Sequence, residues 1–239
     1  MSSAPLAFAP GLTVRGFAPP LQLRDFGLIA FDMDSTLINI ECIDEVADAA
    51  GRKAEVAAIT EASMRGEITD FKESLRRRVA MLQGVPEGFL HEVFEQRLKP
   101  NPGAKALIDA CRAAGLKTLL VSGGFTFFAE RVCSLLGIDD ARSNVLEIVD
   151  GHLTGRLVDQ DWGDICDGAE KRRMLLATCE RLGIPPSRAI AMGDGANDLP
   201  MMGAAGLSVA YHAKPKVREQ AMVSIEEGGL DRLLEVVRP

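Results

Sequence analysis

Gly27-Leu28-Ile29-Ala30-Phe31 is an unbroken apolar run that stops at Asp32. That is the pattern of a parallel strand buried on both faces, with its carboxyl end emerging at a polar edge. Runs of the same kind recur at 117–122, 189–192, 207–210 and 222–225. Between them, helical periodicity covers 127–136, 170–182 and 199–205. Alternating strands and helices predict an α/β fold built on a doubly wound, mostly parallel sheet. Right-handed crossovers bring the strand ends to one edge of such a sheet.

The stretch 41–98 interrupts this alternation, because its pattern is helical throughout and it separates the first strand from the second by far more than one crossover. It reads as an inserted helical cap. Within it, Asp70-Phe71-Lys72-Glu73 has capping-box spacing and opens a helix whose apolar stripe holds Phe71, Leu75, Val79 and Leu82. Arg78 falls on the same stripe. Residues 145–157 alternate around Asp150-Gly151, which predicts a two-residue hairpin turn and a small antiparallel ribbon off the core. The expected organisation is a core of 26–40 and 100–239, a cap over 41–99, and a Pro-containing N-terminal arm over 1–25. A flexible arm is the favoured reading of 1–25. In the other reading its Leu12-Thr13-Val14 and Phe17 pack on the core or on a second subunit, as in a homodimer.

Composition narrows the function. The 239 residues are 47% apolar and 26% charged, as in ordinary soluble domains, and the formal net charge of -7 opposes nonspecific binding to nucleic acid or anionic membrane. No apolar run approaches spanning length and no secretory h-region follows the start, so a cytoplasmic location is expected. Cysteines 42, 111, 133, 166 and 179 form no CxxC pair and read as reduced thiols. His91, His152 and His212 lack zinc-ligand spacing.

Candidate chemistry gathers where the strands end. Asp32 and Asp34 stand two apart after a strand, so in extended backbone both carboxylates face one side. Asp32 suits a carboxylate nucleophile toward phosphorus, and Asp34 a general acid that protonates the leaving alkoxide and then deprotonates water. Thr36 can position Asp34 or a phosphate oxygen. Ser122-Gly123-Gly124 joins the second strand to a helix, where a hydroxyl and N–H groups meet an anion. In Gly193-Asp194-Gly195-Ala196-Asn197-Asp198 the carboxylates reach the same edge. Asp32, Asp194 and the main-chain carbonyl of Asp34 suit magnesium, which takes hard oxygen ligands and keeps several waters. Asp198 is expected to fix the loop or a bound water, Asn197 to bond near the phosphate, and Lys171 to offset charge on the transferring phosphoryl group. Each motif alone also fits a plain strand end, turn or helix cap.

Together, DMDST at 32–36, SGG at 122–124, Lys171 and GDGAND at 193–198 resemble the haloacid dehalogenase superfamily of aspartate-nucleophile phosphotransferases. The stretches 40–45, 64–67, 74–79 and 122–128 are similar to the branch of that superfamily that hydrolyses O-phospho-L-serine. The resemblance implies magnesium-dependent hydrolysis, a small-molecule substrate, and a role in serine synthesis. It implies a sheet with the first strand central, the second and third to one side and the fourth and fifth to the other. It also implies Glu41 and Arg78 as readers of the serine moiety, with Met64 and Phe71 near the pocket. An acid and an arginine complement the ammonium and carboxylate of such a substrate. Some members carry amino-acid-binding regulatory domains before the core, and feedback by serine through one is not expected here. A phosphatase or phosphotransferase of the same fold for another small phosphate monoester is the alternative enzyme, against which Glu41 with Arg78 argues for an amino acid. A phospho-accepting regulatory module is the non-enzymatic alternative, and Asp34 beside Asp32 favours turnover over it.

Overall fold

The structure is a computed structural model in which residues 5–65 and 67–239 are described. Its centre is β4 (Leu28–Phe31), all four residues of which are buried. Leu28 and Ala30 belong to one apolar cluster, with Leu119, Val121, Met174 and Leu175, while Ile29 and Phe31 belong to another, with Leu120, Phe125 and Phe128. The two-residue alternation of a strand thus feeds two cores, which explains why the run is apolar at every position.

On one side β4 pairs in parallel with β5 (Lys117–Phe125), which continues to β6 (Asp140–Val149). On the other side it pairs in parallel with β8 (Ala189–Gly193), followed by β9 (Leu207–Tyr211) and β10 (Val223–Ile225). The first strand is central as expected, but the next two apolar runs, 117–122 and 189–192, flank it on opposite sides. β6, most of whose positions are not buried, is the further neighbour beyond β5, and β9 and β10 lie beyond β8. Phe31 lies opposite both Leu120 and Met192, so the chain turns that follow these three strands open at one edge. Helices α5 (Ala104–Ala113), α6 (Thr126–Leu136) and α7 (Gly168–Arg181) complete the layers.

The N-terminal stretch differs from a flexible arm. From β1 (Leu6–Ala9) to β2 (Leu12–Val14) it forms a hairpin on the sheet, with β2 antiparallel to β10 through Val14 and Val223. Leu12 and Val14 point into the core, and the pairing covers an edge of β10 that would otherwise expose backbone donors and acceptors. Phe17 packs partly buried against the same core. A short β3 (Leu21–Gln22) pairs in parallel with Val237 and Arg238 near the C-terminus.

The helical pattern of 41–98 folds as four helices: α1 (Cys42–Ala49), α2 (Lys53–Met64), α3 (Phe71–Ala80) and α4 (Gly88–Gln96). Asp70 caps α3 by accepting from the Lys72 N–H at 3.1 Å, and Leu75, Val79 and Leu82 are buried along its stripe. After α3 the chain bonds to the ribbon formed by β6 and β7 (His152–Val158), with Gly84 N donating to Leu153 O at 2.7 Å and Glu87 N to Gly151 O at 2.8 Å. The ribbon therefore supports the helical insert as well as extending the sheet. Its turn is as expected, with Asp150 at φ 49° and Gly151 at φ 73°, the pair of positive values that a two-residue hairpin requires.

Candidate active site

A cavity of about 690 Å³ opens at the carboxyl edge of β4, β5 and β8 and is closed over by α1, α2 and α3. Asp32 enters it directly from β4, with extended backbone at φ -71° and ψ 161°. Asp34 keeps extended angles, so it faces the cavity as Asp32 does, and Ser35 then turns the chain at φ 57°. Asp32 Oδ1 accepts from Lys171 Nζ at 2.6 Å and from Met33 N at 2.8 Å. Among the described residues Oδ2 has no protein donor. Asp34 Oδ2 accepts from Cys42 N at 3.0 Å, and its Oδ1 is buried without a partner.

Lys171 is fully buried and does not line the cavity. It was expected to offset charge on the transferring phosphoryl group; its Nζ sits between Asp32 and Asp198, 2.6 Å from each Oδ1. Two buried carboxylates are its strongest available partners. Burial works against its charge, but Asp198 and Asp32 overcome that and hold its pKa above the usual lysine value. Asp198 fixes the loop as expected, since its Oδ2 accepts from Asp194 N at 3.1 Å and Gly195 N at 2.9 Å. A Cβ on Gly193 would stand 2.4 Å from that carboxyl group, so glycine is required there. Thr36 donates to Asp194 Oδ1 at 3.2 Å, and not to Asp34 as one expectation had it.

These acids carry more negative charge than Lys171 offsets. Burial and the charge of Asp198 push Asp32 up from the ordinary carboxylate range, against the pull of Lys171. Burial, aided by Glu41, raises Asp34 to about 7, although the Cys42 N–H opposes it. Burial and then Asp198 and Glu41 raise Asp194 to about 6. Asp32, Asp194 and Asp198 bring one carboxylate oxygen each within 4.8 Å of one another. Because Asp198 is already bonded through both oxygens, Asp32 and Asp194 are the acids left for a cation. Hard oxygen donors with excess charge fit magnesium.

The other expected residues gather on the same cavity. Ser122 is buried, with Oγ accepting from Gly124 N at 2.8 Å, and Gly123 lies under the Phe71 ring, where a Cβ would come within 2.9 Å of Cζ. Asn197 lines the cavity beside Asp194. Glu41 begins α1 without capping it, and accepts from Ser35 Oγ at 2.7 Å instead. Arg78 lines the cavity from α3, with Phe71 and Leu75; its Nε is buried without a partner, and among the described residues it forms no ion pair. The side chain of Met64 lies outside the described residues.

Sequence reasoning passed over three neighbours. Asp167 and Lys214 line the cavity, and Asp167 caps α7 by accepting from Glu170 N at 2.9 Å. The spacing of Asp167 and Glu170 was a readable capping signal. Asn144 is buried and joins two loops, donating to Gly123 O at 2.7 Å and accepting from Cys166 N at 2.8 Å. Its partners lie 21 and 22 positions away, beyond any local pattern.

The chain is similar to known proteins over nearly all of its length. A phosphoserine phosphatase from Albidiferax ferrireducens is 71% identical over 235 residues, covering 98% of this chain and 99% of that one. A solved substrate-bound phosphoserine phosphatase complex matches with TM-score 0.81 and 36% identity, over 89% of this chain and 99% of that one. A phospho-aspartyl intermediate analogue of phosphoserine phosphatase matches with TM-score 0.81 and 37% identity, with the same coverage. Among the described residues no helix is long and apolar enough to cross a membrane. The family of haloacid dehalogenase-like hydrolases matches at residues 26–206, more than half of the sequence, and this chain belongs to that family.

Proposed function

We propose that this protein hydrolyses O-phospho-L-serine to L-serine and phosphate through an aspartyl phosphate on Asp32. The observation that carries the reading is the pairing, in one cavity with Asp32, of a Glu41 carboxylate held by Ser35 and an Arg78 guanidinium with a buried, unpartnered Nε. A buried guanidinium nitrogen without a partner is costly, and a substrate carboxylate satisfies it. Glu41 complements the ammonium.

In this reading the free Oδ2 of Asp32 attacks phosphorus, and the bond to the seryl oxygen breaks. Asp34 gives that oxygen its proton. Burial supports the role, because a carboxyl raised to about 7 keeps a protonated fraction near neutrality. Water then attacks the aspartyl phosphate while Asp34 takes up a proton, releasing phosphate and restoring Asp32. Ser122, Gly123 and Asn197 bind phosphoryl oxygens, and Lys171 orients Asp32 and favours its ionised form against the burial that opposes it. Asp32, Asp194 and the main-chain carbonyl of Asp34 would hold Mg2+, which when bound screens the negative charge of the phosphoryl group. We assign 26–40 and 100–239 to the catalytic core and 41–99 to a cap that selects the substrate. Five unpaired cysteines are in keeping with a reducing cytoplasm as the place of action.

The test is phosphate release from a panel of monoesters, with Mg2+ and with chelator, by the wild-type protein and Arg78→Ala. Preference for phosphoserine that needs Arg78 is expected. An Arg78→Ala variant that keeps this preference overturns the reading.

A further inference from the structure

Ser35 occupies an unusual backbone position for its residue type. At φ 57° it lies in the left-handed region, which glycine enters freely and a residue with a Cβ enters at a cost. Ser35 does not line the cavity, and its backbone N–H already bonds to Ile40 O at 3.2 Å. What the side chain does is donate from Oγ to Glu41 Oε1 at 2.7 Å. Glu41 has no other hydrogen-bond donor among the described residues, and it makes no cap to α1.

We infer that Ser35 is a specificity-positioning residue: its hydroxyl fixes one oxygen of Glu41 so that the other is presented to a cationic group on the substrate. This rests on the phosphoserine reading above and deepens it. A glutamate at the start of a helix, exposed to solvent, has many rotamers, and holding it in one lowers the ordering that binding must supply. The hydroxyl suits this task because it donates to a carboxylate without bringing a charge that would compete with the ammonium. Lysine or arginine at the same place would neutralise Glu41. The residue also couples the two ends of the substrate site, because the turn that displays Ser35 is the one that follows Asp32 and Asp34 along the chain.

The discriminating variant is Ser35→Gly, which removes the hydroxyl and suits the left-handed turn, so the fold is preserved. Two substrates are compared: O-phospho-L-serine and 3-phosphonooxypropanoate, which keeps the carboxylate and phosphate but lacks the ammonium. For phosphoserine, kcat/KM is expected to fall about tenfold, mostly through KM, as for a lost hydrogen bond to a charged group. For the analogue the loss is expected to be less than about threefold, since it has no ammonium to meet Glu41. Equal losses on both substrates, or an unchanged KM for phosphoserine, overturn the inference. Glu41→Gln separates the two levels. If it weakens phosphoserine selectively while Ser35→Gly does not, positioning by Ser35 fails and the substrate reading stands. If Glu41→Gln leaves phosphoserine unaffected, the ammonium reading fails, and positioning fails with it. Thermal unfolding of Ser35→Gly at or above the wild-type temperature is expected, because the strained turn is relieved.

Discussion

At the strand edge of the cavity the charged groups already hold one another: Lys171 bridges Asp32 and Asp198, and Asp198 holds the N–H groups of Asp194 and Gly195. On the side built by α1 and α3, Arg78 keeps a buried Nε with no partner, and among the described residues Glu41 has only the Ser35 hydroxyl as donor. On the first side Lys171 and the two carboxylates it bridges are set before any ligand arrives, with Asp34 Oδ1 left open, while on the second the groups are left for a ligand to complete. Chemistry that stabilises charge on phosphorus benefits from groups that need no rearrangement. Selection benefits from groups that are unsatisfied unless the right substrate is present, because a wrong one leaves the desolvation cost standing.

The strongest way to break this comparison is Asp32→Asn, which removes the nucleophile and leaves the other side intact. Turnover is expected to fall by about a thousandfold or more on every phosphate monoester, as when a covalent catalyst is lost. A loss confined to phosphoserine would show that Asp32 reads the substrate. Lys171→Met tests the self-satisfied side through stability. It leaves two buried carboxylates without their cation, and chemical denaturation is expected to show a loss of about 3–5 kcal/mol. A loss below about 1 kcal/mol would mean that the strand edge is not organised around this lysine.

Arg78→Ala should behave in the opposite way. Removing a side chain whose Nε is buried with no partner is expected to leave the unfolding midpoint unchanged or raise it, while kcat/KM for phosphoserine falls about 10–100-fold, as for lost charge-assisted bonds. Destabilisation without loss of selectivity would reverse the roles assigned to the two sides.

The strand edge was readable because its signals are local. Apolar runs ending at Asp32, Ser122 and Asp194 need only the rule that parallel strands finish at one edge, and the register of β4 with β5 and β8 puts them there. The helix carrying Lys171 was readable too, but not its burial, which depends on Asp32 lying 139 positions away and Asp198 lying 27 away. The N-terminal hairpin was hidden for the same reason. Leu12 and Val14 gain a partner only when β10 is formed, more than two hundred positions later. Arg78 on an apolar stripe was a visible anomaly, yet whether it reaches solvent or stays buried is decided by the surroundings of α3 and not by its own periodicity.

The two sides are also joined outside the cavity. Lys72 on α3 donates to Asp164 at 2.6 Å and lies 3.8 Å from Asp167, while Arg76 also pairs with Asp164. The bond from Lys72 holds the Asp164 carboxyl below the usual carboxylate range, despite some desolvation. A depressed folded pKa contributes stability above the unfolded value of about 3.9, and that contribution is lost as pH falls through the folded value. Asp164→Asn is therefore expected to cost about 0.5–1 kcal/mol at pH 7, as a partly exposed pair does. The difference from wild type should shrink on acidification toward pH 3 and with added salt. If the two sides work independently, kcat/KM for phosphoserine changes less than about threefold in this variant. A larger loss, carried by KM and absent for substrates without an amino acid moiety, would show that this tie sets where α3 holds Arg78 over the strand edge.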